Sequence, residues 1–126
     1  MIHFIAKDAV YDNDIHVLVG SAKEYHRWAL RHWNDKDDTV PSDDAHAMFI
    51  RYDLDNGCKR YVIWLSGIGR PSDVVHETHH ATNAILHDSG VLTGRRNDEA
   101  GAYYQGWLFD QVQNGIHRAI KRRRRK

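Results

Sequence analysis

Residues 71–90, PSDVVHETHHATNAILHDSG, are punctuated and patterned as one helix, and the rest of the chain must fold around it. Pro71, Ser72 and Asp73 form a start signal and Ser89-Gly90 a stop signal. Inside lies His76-Glu77-Thr78-His79-His80, an H-E-x-x-H run. At about 100° per residue, His76 and His80 share one face, one turn apart, where two imidazoles can converge on a single ion. Glu77 sits about 100° round, in reach of a metal-bound water but not placed as a third ligand of the same kind. Val74, Thr78, Ala81 and Ile85, flanked by Val75 and Leu86, form the opposite face and are expected to meet a core. One face packs and the other binds.

The body around that helix is expected to be small. With 126 residues, 41% apolar and 28% charged, the chain has the make-up of a soluble globular protein, so residues 1–120 are read as one domain. No apolar run approaches the length of a membrane span, and the lone Cys58 leaves no intramolecular disulfide, so a cytoplasmic location without membrane contact is expected. The final six residues, Lys121, Arg122, Arg123, Arg124, Arg125 and Lys126, are all basic. The whole chain carries +1, so residues 1–120 carry −5. That terminus is expected to be a disordered, solubilising tail with a capacity for nucleic acid or an acidic partner. Of the ten histidines, His3, His16, His26, His32, His46 and His117 show no mutual ligand spacing and are read as surface residues.

Along the chain, 2–6 and 15–20 are expected strands around a turn at Tyr11-Asp12-Asn13-Asp14. Ser21 with Glu24 forms a capping box that opens a helix running to Trp33, with Tyr25, Trp28, Ala29 and Trp33 on its aromatic core face. The acidic segment 34–44 lacks the spacing of a calcium loop and is read as a solvated connection. Segments 45–53 and 59–66 flank Asp55-Asn56-Gly57, a strong hairpin turn. In the return strand, Tyr61, Ile63 and Leu65 alternate with Arg60, Val62 and Trp64, so both faces are at least partly apolar. A last helix is expected from a cap at Asn97 or Asp98 to about Ile120, with Gly101 and Gly106 allowing close helix approach.

Two histidines four apart with an adjacent glutamate supply most of a catalytic zinc centre, which needs three protein ligands and one open position. The third ligand must come from another element, and Glu99, near the start of the following helix, is the candidate. Zinc lowers the pKa of a bound water to about 7. Glu77 is then expected to act as general base and to pass the proton to a leaving amine.

His76-Glu77-x-x-His80, followed after eighteen residues by Glu99 within Asn97-Asp98-Glu99-Ala100, resembles the gluzincin metallopeptidases. The order of helix, antiparallel hairpin, motif helix and ligand helix is similar to the reduced zincin domains found in bacteria and phages. The resemblance spans roughly residues 15–115. It implies a zincin-like α+β fold, with a small antiparallel sheet packed on the motif helix and helices before and after. It also implies a zinc cofactor and hydrolysis of a peptide or protein substrate, aligned on an edge strand at or beside 61–66. Tyr103 and Tyr104 become possible oxyanion stabilisers by the same resemblance. Larger members carry an acidic residue four positions after the glutamate ligand. This chain has Tyr103 there, so the partner that orients His76 is unassigned.

A second reading, of another class, is a zinc-stabilised binding protein whose basic tail engages nucleic acid or an acidic partner. Glu77 weighs against it, because a structural site needs no base. A combined reading makes the tail a tether that holds a protease near DNA.

Overall fold

The computed structural model describes residues 1–68, 70–92, 94 and 98–125. The elements are β1 (Ile2–Asp8), β2 (Asn13–Val19), α1 (Ala22–Trp33), β3 (Ala47–Asp53), β4 (Lys59–Leu65), α2 (Pro71–Asp88) and α3 (Asp98–Arg124). The protein is α+β, with a four-stranded sheet in the order β1-β2-β4-β3. The expected antiparallel sheet is corrected to a mixed one. β1–β2 and β3–β4 pair antiparallel, but β2 and β4 run parallel from Ile15↔Tyr61 to Val19↔Leu65. A parallel pair needs a long crossover, which α1 and the segment after it supply. The hairpin return strand then enters the sheet beside β2. That position explains why Tyr61 to Leu65 are all buried on both faces, as the mixed pattern YVIWL implied.

Helices cover both faces of the sheet. Val17, Val19, Tyr61, Ile63 and Leu65 pack with Val74, Ala81 and Ile85 of α2 and with Leu108, Val112 and Ile116 of α3. Leu18, Val62 and Trp64 pack on the other face with Tyr25, Trp28 and Ala29 of α1. The capping box is present: Glu24 N–H donates to Ser21 Oγ at 3.1 Å and Ser21 N–H to Glu24 Oε1 at 3.0 Å. A chain of hydroxyls, Tyr25 to Tyr52 at 2.6 Å and Tyr52 to Asp35 at 2.7 Å, ties α1, β3 and the segment after α1 together.

Helix α2 starts with Pro71 at its first position and ends as Ser89-Gly90 required. Gly90 adopts φ +77°, its N–H donates to His87 O at 3.1 Å, and Val91 N–H donates to Leu86 O at 2.9 Å. These two bonds close the last turn in a Schellman arrangement. Its inner face buries Val74, Thr78, Ala81, Ile85 and Leu86 as expected, together with Glu77 and Thr82; Val75 is exposed instead. Thr78 and Thr82 donate to Val74 O and Thr78 O, so their buried hydroxyls are satisfied. Asp88 accepts from Tyr61 Oη at 2.7 Å and from Arg51 Nη1 at 2.9 Å, which pins the end of α2 to β4 and β3.

Helix α3 is longer than expected. The basic segment read as a disordered tail continues the helix through Arg124, while Lys126 lies outside the described residues. Lysine and arginine are good helix formers and sit favourably at the negative end of the helix dipole. Of the two glycines expected at a close helix approach, Gly101 meets Leu86 of α2 at ordinary contact distance and Gly106 faces open space; the tight contact falls at Gly115, where a Cβ would overlap the ring of Phe4 on β1. No described helix is long and apolar enough to cross a membrane.

Candidate metal centre on helix α2

His76 and His80 stand together on the outer face of α2, both exposed, with ring centroids 4.6 Å apart and planes at 84°. Glu77 lies on a different flank. It is only 5% exposed, and helical spacing puts it in line with Ala84 and Asp88, the flank that meets β3. From there Glu77 Oε1 lies 2.9 Å from His76 Nδ1. A carboxylate only accepts, so the His76 proton sits on Nδ1 and the Nε2 lone pair is free to bind a metal. The orienting partner of His76, unassigned in the sequence, is thus its own neighbour. A carboxylate in that role holds a ligating imidazole in both tautomer and orientation.

Glu99 is not brought to this pair. Gln105 Nε2 donates to Val75 O at 3.4 Å, and Gln105 Oε1 lies 3.4 Å from His79 Nδ1, while Gly101 abuts Leu86. These contacts make α2 and α3 antiparallel neighbours, with the first turn of α3 level with the last turns of α2. Six residues separate His80 from Leu86, about 9 Å along the axis. Glu99 is exposed there, and among the described residues no group of three His, Cys, Asp or Glu is set to hold a metal ion. The connection after α2 is short and the helices pack side by side, so the chain returns to the end of α2 and not to its histidine face. The pair offers two imidazoles one turn apart; Glu99, in this arrangement, is not a third ligand to them.

The two tyrosines face elsewhere. Tyr104 is buried and donates to Asp8 Oδ2 at 2.8 Å; burial, then that hydrogen bond, raises its pKa. Asp8 also accepts from the Val10 and Tyr11 amides, so it joins α3 to the β1–β2 turn. Tyr103 is exposed and lines a cavity of about 440 Å³ with Val10, Tyr11 and Trp107. Neither hydroxyl lies on the His76–His80 face. Strand β4 is internal and β3 beside it is one of the two edges of the sheet, on the flank of α2 that carries Glu77.

Sequence reasoning missed two things here. His79 docks α3 through Gln105 and is itself contacted by Asn83 Nδ2 at 3.1 Å. His3 and His16 also meet, with Nε2 and Nδ1 3.0 Å apart, beside Trp28 and close to His32. Their separation of thirteen residues carries no helical signal; only the register of β1 on β2 brings them together.

The chain matches no protein-family model, and neither curated proteins nor solved structures give a significant match to it. The chemistry of the α2 face therefore stands on its own geometry.

Proposed function

We propose that the protein is a zinc-dependent metallopeptidase of the gluzincin type, with its centre built on α2. The observation that carries this reading is the exposed His76–His80 pair, with His76 held by Glu77 in the tautomer that leaves Nε2 open. His76, through Nε2, and His80 would supply two of the ligands. Glu99 would complete the ligand set only if the start of α3 moved toward the histidines, which would couple metal binding to a local rearrangement. A zinc ion held there would supply an acidified water and polarise the scissile carbonyl. Glu77 would keep its contact to His76 Nδ1 through one oxygen, leaving the other to act as general base toward such a water and to return the proton to the departing amine. The edge of β3 offers unpaired backbone groups along which an extended peptide aligns.

Elemental analysis of untagged protein tests this, comparing wild type with His80→Ala and Glu99→Ala. About one zinc per wild-type chain, lost in both variants, supports the three-ligand centre. Zinc lost in His80→Ala but retained in Glu99→Ala removes Glu99 from the set. Absence of stoichiometric metal from wild type sinks the proposal. Hydrolysis of a peptide library by the zinc-loaded protein, abolished in Glu77→Gln, is the test of the activity itself.

A further inference from the structure

The end of α3 carries a second surface, independent of the metal. Ile116 is buried and Ala119 and Ile120 are half-buried, whereas Lys121 to Arg125 are exposed without exception. The helix thus runs past the core with cations on every side. Residues 121–124 sweep about 300° around the axis, and Arg125 follows directly after the helix end. Arg118 adds a sixth positive charge one turn earlier, also exposed. Among the described residues, none of these six forms an ion pair.

We propose that this collar binds duplex nucleic acid through its phosphates, with the helix seated in the major groove. A helix is about 10–12 Å across with side chains, and the groove is about 12 Å wide with phosphates along both walls. A ring of cations engages both walls together, whereas a flat acidic protein face meets only one side of it. Residues 1–120 carry −5, so the body is repelled by the duplex and contact is confined to the collar. Contacts to phosphates alone carry no base preference, so binding is independent of sequence.

The test uses the full chain, a fluorescein-labelled mixed-sequence duplex and anisotropy in a buffer with EDTA, so that its outcome is separate from that of the metal centre. Four to five neutralised phosphates give a loss of affinity of roughly 10²–10³-fold between 50 and 200 mM salt. Combining Arg122→Glu, Arg123→Glu and Arg124→Glu is expected to lower affinity at least about 100-fold at 50 mM salt and to flatten the salt slope by about 3. Arg27→Glu with Arg31→Glu, exposed on α1, is expected to leave affinity within about threefold. Circular dichroism checks that each variant is folded. No binding at 50 mM salt, or equal losses in the two variants, overturns the proposal. So does a single strand bound as tightly as the duplex, which removes the groove. Competition by polyglutamate as strong as by unlabelled duplex assigns the collar to an acidic protein instead.

Discussion

Two histidine pairs in this molecule have ring centroids 4.6 and 5.3 Å apart but opposite surroundings. His76 and His80 sit on the outside of a helix whose inner face is an ordinary aliphatic core, so their rings contribute little to packing. His3 and His16 lie in the sheet under α1. The His16 ring is 5.6 Å from Trp28 and 5.3 Å from Trp33, edge-on to the latter. There a single proton sits between two nitrogens 3.0 Å apart, and each ring spends a ring nitrogen on the other. In the α2 pair the proton of His76 goes to Glu77, and the second nitrogen is left for a ligand. Closeness of two imidazoles is therefore not what makes a metal centre. What matters is where the remaining lone pairs point and whether an ion can reach them.

The largest effect expected from that contrast is a crossed one. His80→Ala should lower zinc affinity by about 10²–10³-fold, with turnover lost alongside, yet leave the stability of metal-free protein within about 0.5 kcal/mol. His16→Ala should keep zinc and cost about 1–3 kcal/mol, because it empties space beside two tryptophans and strands His3. Zinc titration and urea unfolding of both variants decide the matter. If His80→Ala is the destabilised protein and His16→Ala the metal-deficient one, the assignments of the two pairs are reversed.

Glu77 sharpens the same contrast. Glutamine at 77 can still accept from His76 Nδ1 but takes up no proton. Glu77→Gln should hold zinc within about tenfold while turnover falls roughly 10²–10⁴-fold. Glu77→Ala removes the orienting contact too, and should add a loss of about 10–100-fold in zinc affinity. Equal zinc affinity in Glu77→Ala and wild type would show that the 2.9 Å contact does not orient His76.

Helix α2 and its histidine face are legible in residues 71–90 because punctuation, apolar period and ligand spacing agree within one element. The capping box of α1 and the Asn56-Gly57 turn are legible for the same local reason. What depends on how elements meet is not. The parallel β2–β4 pair follows from a crossover whose return path nothing in residues 20–46 specifies. Gly115, not Gly101 or Gly106, takes the close contact because Phe4 happens to face it from 111 residues away. Glu99 has the right sequence spacing from His80 and the wrong height along α3, which the α2–α3 packing decides. The continuation of α3 into the basic run was within reach of propensity, since no glycine or proline follows Gly115.

The smallest expected effect is a pH dependence that belongs to the sheet pair. Burial above all, then the neighbouring His3, pushes the His16 pKa down from 6.5 to about 4, with Arg60 and His32 adding to it and Asp14 opposing. His3 is lowered as well, by burial and by His32. Between pH 6.5 and 4 the unfolded chain binds a proton at His16 that the folded protein refuses, so stability falls as pH falls through that window and is fully restored above it. His16 is partly open to water, so solvent screening reduces the contribution to about 1–2 kcal/mol. His16→Asn offers His3 a polar partner without a titrating group. Other groups also respond to acid, so the quantity to measure is the difference between wild type and His16→Asn in urea unfolding free energy at pH 7.5, 6, 5 and 4. A difference that narrows or changes sign toward acid is expected, because only the wild type must protonate a half-buried ring packed against Trp28 and Trp33. Parallel curves would mean that the ring accepts its proton without disturbing α1, and the two histidine pairs would then differ in geometry alone.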